Sequence, residues 1–129
     1  MKKLLCPEFF LGDKVTPEQA AFFHKNGVIV FRNVLKPETV AFFIHELNRI
    51  EKKLLDEGVD KINGVPLKFG KDYNGQTIIQ RLCFLSTFST TFHEFLKDPR
   101  LVALLELLAP YEGRIAENEK DGLILNHHV

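Results

Sequence analysis

The stretch Thr16–Leu35, TPEQAAFFHKNGVIVFRNVL, contains a helix start, a helix end and a short apolar run in direct succession. Thr16 and Gln19 have the spacing of a capping box, and a proline occupies the first helical position between them. Gly27 follows the helix as a residue that tolerates positive φ. The β-branched run at 28–31 then predicts a short buried strand. This stretch therefore predicts a capped helix that leads into a sheet-containing domain.

Length and composition are those of one globular domain. The chain has 129 residues, of which 45% are hydrophobic and 26% charged, which is enough to form a core. We expect a single domain over residues 1–129, with residues 1–15 as a lead-in segment. Lys+Arg 17 and Asp+Glu 17 give a net charge of zero. No overall field therefore attracts nucleic acid or an anionic membrane, and we expect neither as a partner.

The N-terminus and the cysteines indicate the compartment. Two lysines precede an apolar run that is too short for a signal peptide, and no segment approaches the roughly 18 apolar residues of a membrane span. Cys6 and Cys83 lack the secretory context of a disulfide framework. We therefore expect a cytoplasmic protein with reduced thiols.

The middle of the chain predicts a long helix followed by turns and a strand. Apolar residues at three- and four-residue spacing predict an amphipathic helix over 37–57. The dipeptides Asn63-Gly64 and Asn74-Gly75 predict a hairpin or a mobile functional loop over 58–76. Residues 77–84 read as extended chain. The apolar stripe of the helix is Val40, Phe43, Ile44, Leu47, Ile50 and Leu54.

The C-terminal third predicts further helices and one strand. Two helical pieces are expected around 92–96 and 99–108, separated by Asp98-Pro99. The second piece is apolar on more than one face, which predicts heavy burial. A charged loop then leads to a final strand at Leu123-Ile124-Leu125. The expected fold class is α+β, with helices packed on a partial β-sheet.

Several segments of the chain occur in an order that is typical of one enzyme family. They are residues 16–30, 34–38, 79–81, 98–110 and 121–126, and together they span most of residues 15–129. This ordered set resembles the N-terminal half of the phytanoyl-CoA dioxygenase family, which are Fe(II)/2-oxoglutarate oxygenases.

The resemblance implies the N-terminal portion of a double-stranded β-helix (jelly-roll) fold with helices outside it. The implied cofactors are Fe(II) and 2-oxoglutarate, which together hydroxylate a small organic or acyl substrate and release succinate and carbon dioxide. Leu123 then corresponds to an apolar residue lining the 2-oxoglutarate pocket. In that family a basic residue that contacts the cosubstrate lies close to the position of Gln80. Ile78 occupies the position of that basic residue in this sequence.

The metal-ligand pattern of that family is absent from the sequence. Two of its ligands are a histidine and, two positions later, an aspartate or glutamate, because residues two apart on a strand share a face. None of the five histidines has a carboxylate at that spacing: His24, His45, His93, His127 and His128. We therefore name no catalytic or metal-ligating residue. We expect the chain alone to be inactive and to bind neither cofactor tightly.

The remaining reactive residues have structural explanations. His127 and His128 form either part of a metal site or a strand end, and the second is favoured because neighbouring strand residues point to opposite faces. Cys83 lies in an apolar run and reads as a small buried hydrophobe. The three helical histidines, His24, His45 and His93, read as solvated or at the rim of the core. Three Phe-Phe pairs suggest either core packing, which is favoured, or an acyl-chain site.

Two functional hypotheses follow. In the first, the chain is the N-terminal portion of an oxygenase whose iron triad and 2-oxoglutarate-binding arginine would follow Val129. In the second, it is a non-catalytic binding or oligomerisation protein that uses the same scaffold. Because few strands are available to cover the long helices, exposed edges and apolar surface favour a dimer or larger assembly in either case.

Overall fold

The computed structural model describes residues 7–116 and 124–126. Within these ranges the protein is α+β, with helices and two small antiparallel sheets, in agreement with the expected class. The described residues fall into two units. We call residues 7–36 with 97–114 the capped unit, and residues 37–96 with 115–116 and 124–126 the core unit. No helix in the described ranges has both the length and the apolar character needed to cross a membrane.

The capped unit begins with α1, Pro17–Asn26. The N–H of Gln19 donates to Oγ1 of Thr16 at 3.1 Å, and the N–H of Thr16 donates to Oε1 of Gln19 at 3.0 Å. The helix ends at Gly27, whose φ is 71° and whose N–H donates to the carbonyl oxygen of Phe23. The predicted capping box and glycine stop are both confirmed.

The strand predicted at 28–31 is wrong. Only Phe31 pairs, in a single parallel bridge with Phe9. The N–H of Phe9 donates to the carbonyl of Val30 at 3.2 Å, and the N–H of Arg32 donates to that of Phe9 at 2.8 Å. The ladder ends there because Asn33 has a φ of 54°, outside the extended region. The apolar run therefore has a one-residue partner and forms no strand.

The other segment of the capped unit contains α5, Pro99–Ala103, and a 3₁₀ helix, Leu104–Leu108, that packs against α1. The segment predicted as one helix over 99–108 is therefore α-helical as far as Ala103 and a 3₁₀ helix from Leu104. Heavy burial of this segment was also wrong: Ala103 and Leu107 are buried, but Val102 is 46% exposed. A short helix packed on one side can bury only one stripe, and its other apolar residues stay in contact with solvent.

The core unit begins with α2, Pro37–Asp56, as predicted. Ile50 is 3% exposed, and Phe43, Leu47 and Leu54 are partly buried against the same core. The remaining two members of the predicted stripe, Val40 and Ile44, are exposed. The apolar stripe is thus covered along only part of the helix.

Five short strands occur in the described part of the chain after α2. Strands β1, Lys61–Ile62, and β2, Val65–Pro66, form a two-stranded hairpin. Strands β3, Lys68–Lys71, β4, Thr77–Leu82, and β5, Leu125–Asn126, form a three-stranded sheet in the order β3-β4-β5. All pairs are antiparallel. The predicted hairpin region at 58–76 therefore contains one complete hairpin and the first strand of a second.

Strand β4 ends at Leu82, two residues earlier than predicted. Phe84 has a φ of 63°, so the chain leaves the extended conformation and begins α3, Leu85–Phe88. Ser89 then caps α4, Thr90–Phe95. The final strand, β5, comprises Leu125–Asn126, so Leu125 is confirmed as part of a strand, Ile124 is not in one, and Leu123 lies outside the described residues.

The core lies between α2, the sheet and the short helices α3 and α4. The Phe43 ring lies 5.2 Å from that of Phe92 and 5.0 Å from that of Phe95, which joins α2 to α4. The buried members of the core are Ile50, Leu67, Ile79, Leu82, Leu85 and Phe92.

Candidate functional site

The two residues that the resemblance assigns to the cosubstrate have different outcomes. Gln80 lies on β4 and is half-buried. Leu123 lies outside the described residues. The residues that follow it form β5, in which Leu125 pairs with Leu82 and Asn126 pairs with Arg81. The strand that carries Gln80 therefore has the segment after Leu123 as its direct neighbour.

Gln80 is the extra residue of a β-bulge. Lys68 pairs with Arg81, whereas Phe69 pairs with Ile79, so one step on β3 matches two steps on β4. The burial of β4 reflects this. Ile79 and Leu82 are both 0% exposed, although residues three apart in a regular strand face opposite sides. The extra residue returns both side chains to the core, and the strand is bent at Gln80.

A carboxylate from α2 anchors the bulge. The N–H of Ile79 donates to Oε2 of Glu51 at 3.0 Å. Because Ile79 is fully buried, this N–H has no access to water and needs an acceptor within the protein. Leaving such a donor unsatisfied costs about 1–3 kcal/mol. Glu51 therefore holds α2 against the strand where Gln80 interrupts the ladder.

Two cations lie opposite each other beside the bulge. Lys68 and Arg81 are cross-strand partners and both are exposed. Within the described ranges neither side chain forms an ion pair. Like charges directly opposite each other destabilise a strand pair, and an anion between them would relieve that repulsion. This arrangement suits a carboxylate ligand.

The pairing of Lys68 with Arg81 was missed at the sequence level. Strict alternation places Arg81 on the opposite face from Leu82 but says nothing about its partner on β3, because register depends on the turn and on the bulge. The one available signal was the dipeptide Gln80-Arg81 within an otherwise apolar strand.

A second polar cluster joins α2 to α4. Glu46 accepts hydrogen bonds from Nε of Arg49 at 2.9 Å, from Nη2 at 2.8 Å, and from Oγ of Ser89 at 3.1 Å. The hydrogen bonds from Arg49 lower the pKa of Glu46, burial opposes the shift, and Ser89 adds to it. Ser89 is also the α4 cap. Each group has a structural partner, so this cluster stabilises the packing of two helices.

The remaining predicted candidates occupy structural positions. His24 and His45 are exposed on α1 and α2, and His93 is half-buried on α4. Cys83 is a buried free thiol, as predicted. His127 and His128 lie outside the described residues. In the part of the chain that the structure describes, no group of three or more His, Cys, Asp or Glu side chains could hold a metal ion.

Comparison of the chain with protein-family models, with curated proteins and with solved structures returned no match. The candidate site consists of a bulge at Gln80, the facing cations Lys68 and Arg81, and the adjacent strand β5, Leu125–Asn126. These groups can bind and orient a small anion through charge and hydrogen bonds.

Proposed function

We propose that this chain is the N-terminal portion of an Fe(II)/2-oxoglutarate oxygenase of the phytanoyl-CoA dioxygenase type, located in the cytoplasm. Its role within such an enzyme is to supply the outer helices and the first strands of a jelly roll. The full oxygenase would hydroxylate a small organic or acyl substrate. The chain by itself binds neither Fe(II) nor 2-oxoglutarate tightly and does not turn over.

The observation that supports this proposal is the pairing of β4 with β5. The resemblance assigns cosubstrate contacts to two residues 43 positions apart, Gln80 and Leu123. The strand that contains the first pairs with Leu125 and Asn126, two and three positions after the second. Gln80 and Leu123 could contact the same small molecule only if the chain segments that carry them are neighbours.

In this proposal the sheet near Gln80 contributes to cosubstrate binding. Gln80 would offer an amide N–H to a carboxylate oxygen of 2-oxoglutarate. Lys68 and Arg81 would supply positive charge at the same end of β4. Leu123 would cover the aliphatic part of the molecule. Bound Fe(II) and oxygen would supply the oxidising chemistry, with ligands from outside the described residues.

The decisive test is the coding sequence downstream of the Val129 codon. We expect an open reading frame that encodes a histidine and, two positions later, an aspartate or glutamate, followed by a further histidine and an arginine. A native stop codon directly after Val129, established on the transcript, would refute the oxygenase proposal. The matching biochemical expectation is that the 129-residue chain releases no succinate with Fe(II) and 2-oxoglutarate above a metal-free control.

A second candidate is self-association through α2, as a non-catalytic scaffold. Val40 and Ile44 lie one helical turn apart and are 40% and 52% exposed, and Phe42 is 55% exposed. The net charge of zero provides no overall repulsion between copies. The partner in this proposal is a second copy of the chain.

Sedimentation over a concentration series tests the self-association. We expect a dimer or larger species that dissociates in an Ile44→Asp variant. A matched control is Tyr73→Asp, at a fully exposed position on another element, which should leave the assembly unchanged. A stable monomer at all concentrations would exclude this second function.

A further inference from the structure

The chain has three Asn-Gly dipeptides, and the structure gives them different surroundings. Asn26-Gly27 lies at the end of α1, where the N–H of Gly27 donates to the carbonyl oxygen of Phe23 at 2.7 Å, and the other two lie in strand connections. Asn63-Gly64 connects β1 to β2, and Asn74-Gly75 lies in the connection between β3 and β4. All four residues of these two dipeptides are exposed. An asparagine before glycine is chemically labile, because glycine has no Cβ to hinder attack by its backbone nitrogen on the asparagine side chain. The reaction requires that nitrogen to be free.

The nitrogen of Gly75 is engaged. Its N–H donates to the carbonyl oxygen of Asp72 at 3.0 Å. The same aspartate accepts, at Oδ1, the N–H of Asn74 at 2.8 Å and that of Gln76 at 2.9 Å. The N–H of Asp72 donates to the carbonyl oxygen of Gln76 at 3.0 Å. This turn holds the attacking group in a hydrogen bond and fixes the backbone on both sides of it.

The nitrogen of Gly64 has no such partner. The connection has two residues with φ values of 49° and 80° at Asn63 and Gly64, which is the conformation of a type I′ turn. The neighbouring strands pair through Ile62 and Val65. Among the described residues, no hydrogen bond of the Gly64 N–H is found. The attacking nitrogen is therefore not held by a hydrogen bond, and Gly64 as a residue is exposed.

We propose that Asn63 is a site of spontaneous deamidation and that Asn74 is protected from the same reaction. The backbone nitrogen of Gly64 attacks Cγ of Asn63, a C–N bond forms, the N–H proton is lost, and the side-chain nitrogen leaves as ammonia. The product is a five-membered succinimide. Water then opens the ring at one of its two carbonyls, giving aspartate or isoaspartate at position 63. No oxidant or reductant is needed.

The product alters the β1–β2 hairpin in two ways. A carboxylate at position 63 adds one negative charge two residues from Lys61. Isoaspartate also adds a methylene to the main chain of a two-residue turn, so that Ile62 and Val65 no longer fit the register of the tight hairpin. Deamidation would therefore act as a slow and one-way change in this hairpin.

Peptide mapping by mass spectrometry after incubation in mildly alkaline buffer tests the proposal, with isoaspartate detected by enzymatic methylation. In the folded protein we expect position 63 to convert at least about fivefold faster than position 74, which is the rate equivalent of one net hydrogen bond. In concentrated urea the two positions should convert at similar rates. Equal or faster conversion at position 74 in the folded protein would overturn the proposal. So would an intact Asn63 under conditions in which the urea control reacts.

Two variants separate the causes. Asn63→Gln should abolish conversion at position 63 and leave position 74 unchanged. Asp72→Ala removes the two side-chain hydrogen bonds that fix the β3–β4 turn on both sides of Gly75, while the backbone carbonyl that accepts the Gly75 N–H remains, and it should accelerate conversion at position 74 alone. The circular dichroism spectrum of the variant checks that it is still folded. If Asp72→Ala has no effect at position 74, the contribution of the Asp72 side chain to the protection is refuted.

Discussion

The capped unit and the core unit are stabilised in different ways. In the capped unit the main stabilising contacts are hydrogen bonds. Gln19 completes the capping box of α1 and donates from Nε2 to the carbonyl oxygen of Phe10. Arg100 donates both to Asp98 and to the carbonyl oxygen of Val34. In the core unit, apolar side chains from α2, the sheet, α3 and α4 form one buried cluster. Among the residues whose burial the structure describes, the capped unit contributes two buried apolar residues, Ala103 and Leu107.

This difference predicts where each unit is vulnerable. Hydrogen bonds contribute about 0.5–1.5 kcal/mol each, whereas truncation of a buried leucine costs several times more. The capped unit should therefore lose stability in small and local steps. The core unit should respond to a single core substitution as a whole, because its buried residues share neighbours.

The largest expected effect is that of Leu82→Ala in the core unit. Leu82 is 0% exposed, and its truncation should lower the free energy of unfolding by about 2–5 kcal/mol. Urea denaturation followed by circular dichroism measures this. The control is Leu108→Ala in the capped unit, where the side chain is 45% exposed and the loss should be under about 1 kcal/mol. Similar losses for the two variants would contradict the distinction between the units.

Glu51→Ala should give the next largest effect, about 1–3 kcal/mol, because the buried N–H of Ile79 loses its acceptor. Glu51→Gln keeps an acceptor oxygen and should lose less. Glu57→Ala removes an exposed carboxylate close by in sequence and serves as the control. Hydrogen exchange at the Ile79 amide gives a local readout. If this amide remains as protected in Glu51→Ala as in the parent chain, Glu51 does not anchor the bulge.

Gln19→Ala should cost about 1–2 kcal/mol in the capped unit, since a buried side chain loses its bonds to Thr16 and Phe10. The change should remain local. Faster hydrogen exchange is expected in α1, with the amides of β4 unaffected. Glu18→Ala, at an exposed neighbouring position, should change neither. A loss of protection in β4 would show that the two units unfold together.

The smallest expected effect is the response to acid. Hydrogen bonds from Arg100 lower the pKa of Asp98 in the capped unit, with burial opposing, and those from Arg49 lower the pKa of Glu46 in the core unit. A carboxyl whose pKa is depressed in the folded state stabilises it above the unfolded-state value. That contribution is lost as the pH falls below the ordinary carboxyl pKa and through the lowered folded-state pKa. Asp98→Asn and Glu46→Gln should each reduce the slope of stability against pH in this window. An unchanged slope in both variants would refute the assignment.

The features that could be predicted from sequence are those set by neighbouring residues. The Thr16–Gln19 capping box, the Gly27 stop and the turn at Asn63-Gly64 depend on local geometry, and all three were correct. The 28–31 strand failed because a strand needs a partner, and residues 7–15, the described part of the lead-in segment, offer only Phe9. Apolar content alone could not reveal that.

The candidate site depends on information that the sequence does not contain locally. The bulge at Gln80 arises from the register between β3 and β4, and the facing of Lys68 and Arg81 follows from that register. The partnership of Glu51 with the Ile79 amide joins positions 28 residues apart. Such contacts depend on tertiary packing. The sequence therefore indicated Gln80 as a candidate but not the residues that lie next to it. The role of Leu123 remains a prediction.

The most direct test of the central claim is a titration of the isotope-labelled chain with 2-oxoglutarate, followed by amide chemical shifts. The account predicts weak, saturable shifts centred on Lys68, Gln80 and Arg81. These should disappear in Arg81→Ala and persist in the matched control Lys61→Ala, and acetate at the same ionic strength should not reproduce them. Absence of shifts at these amides, or shifts that persist in Arg81→Ala, would contradict a cosubstrate-binding role for this sheet.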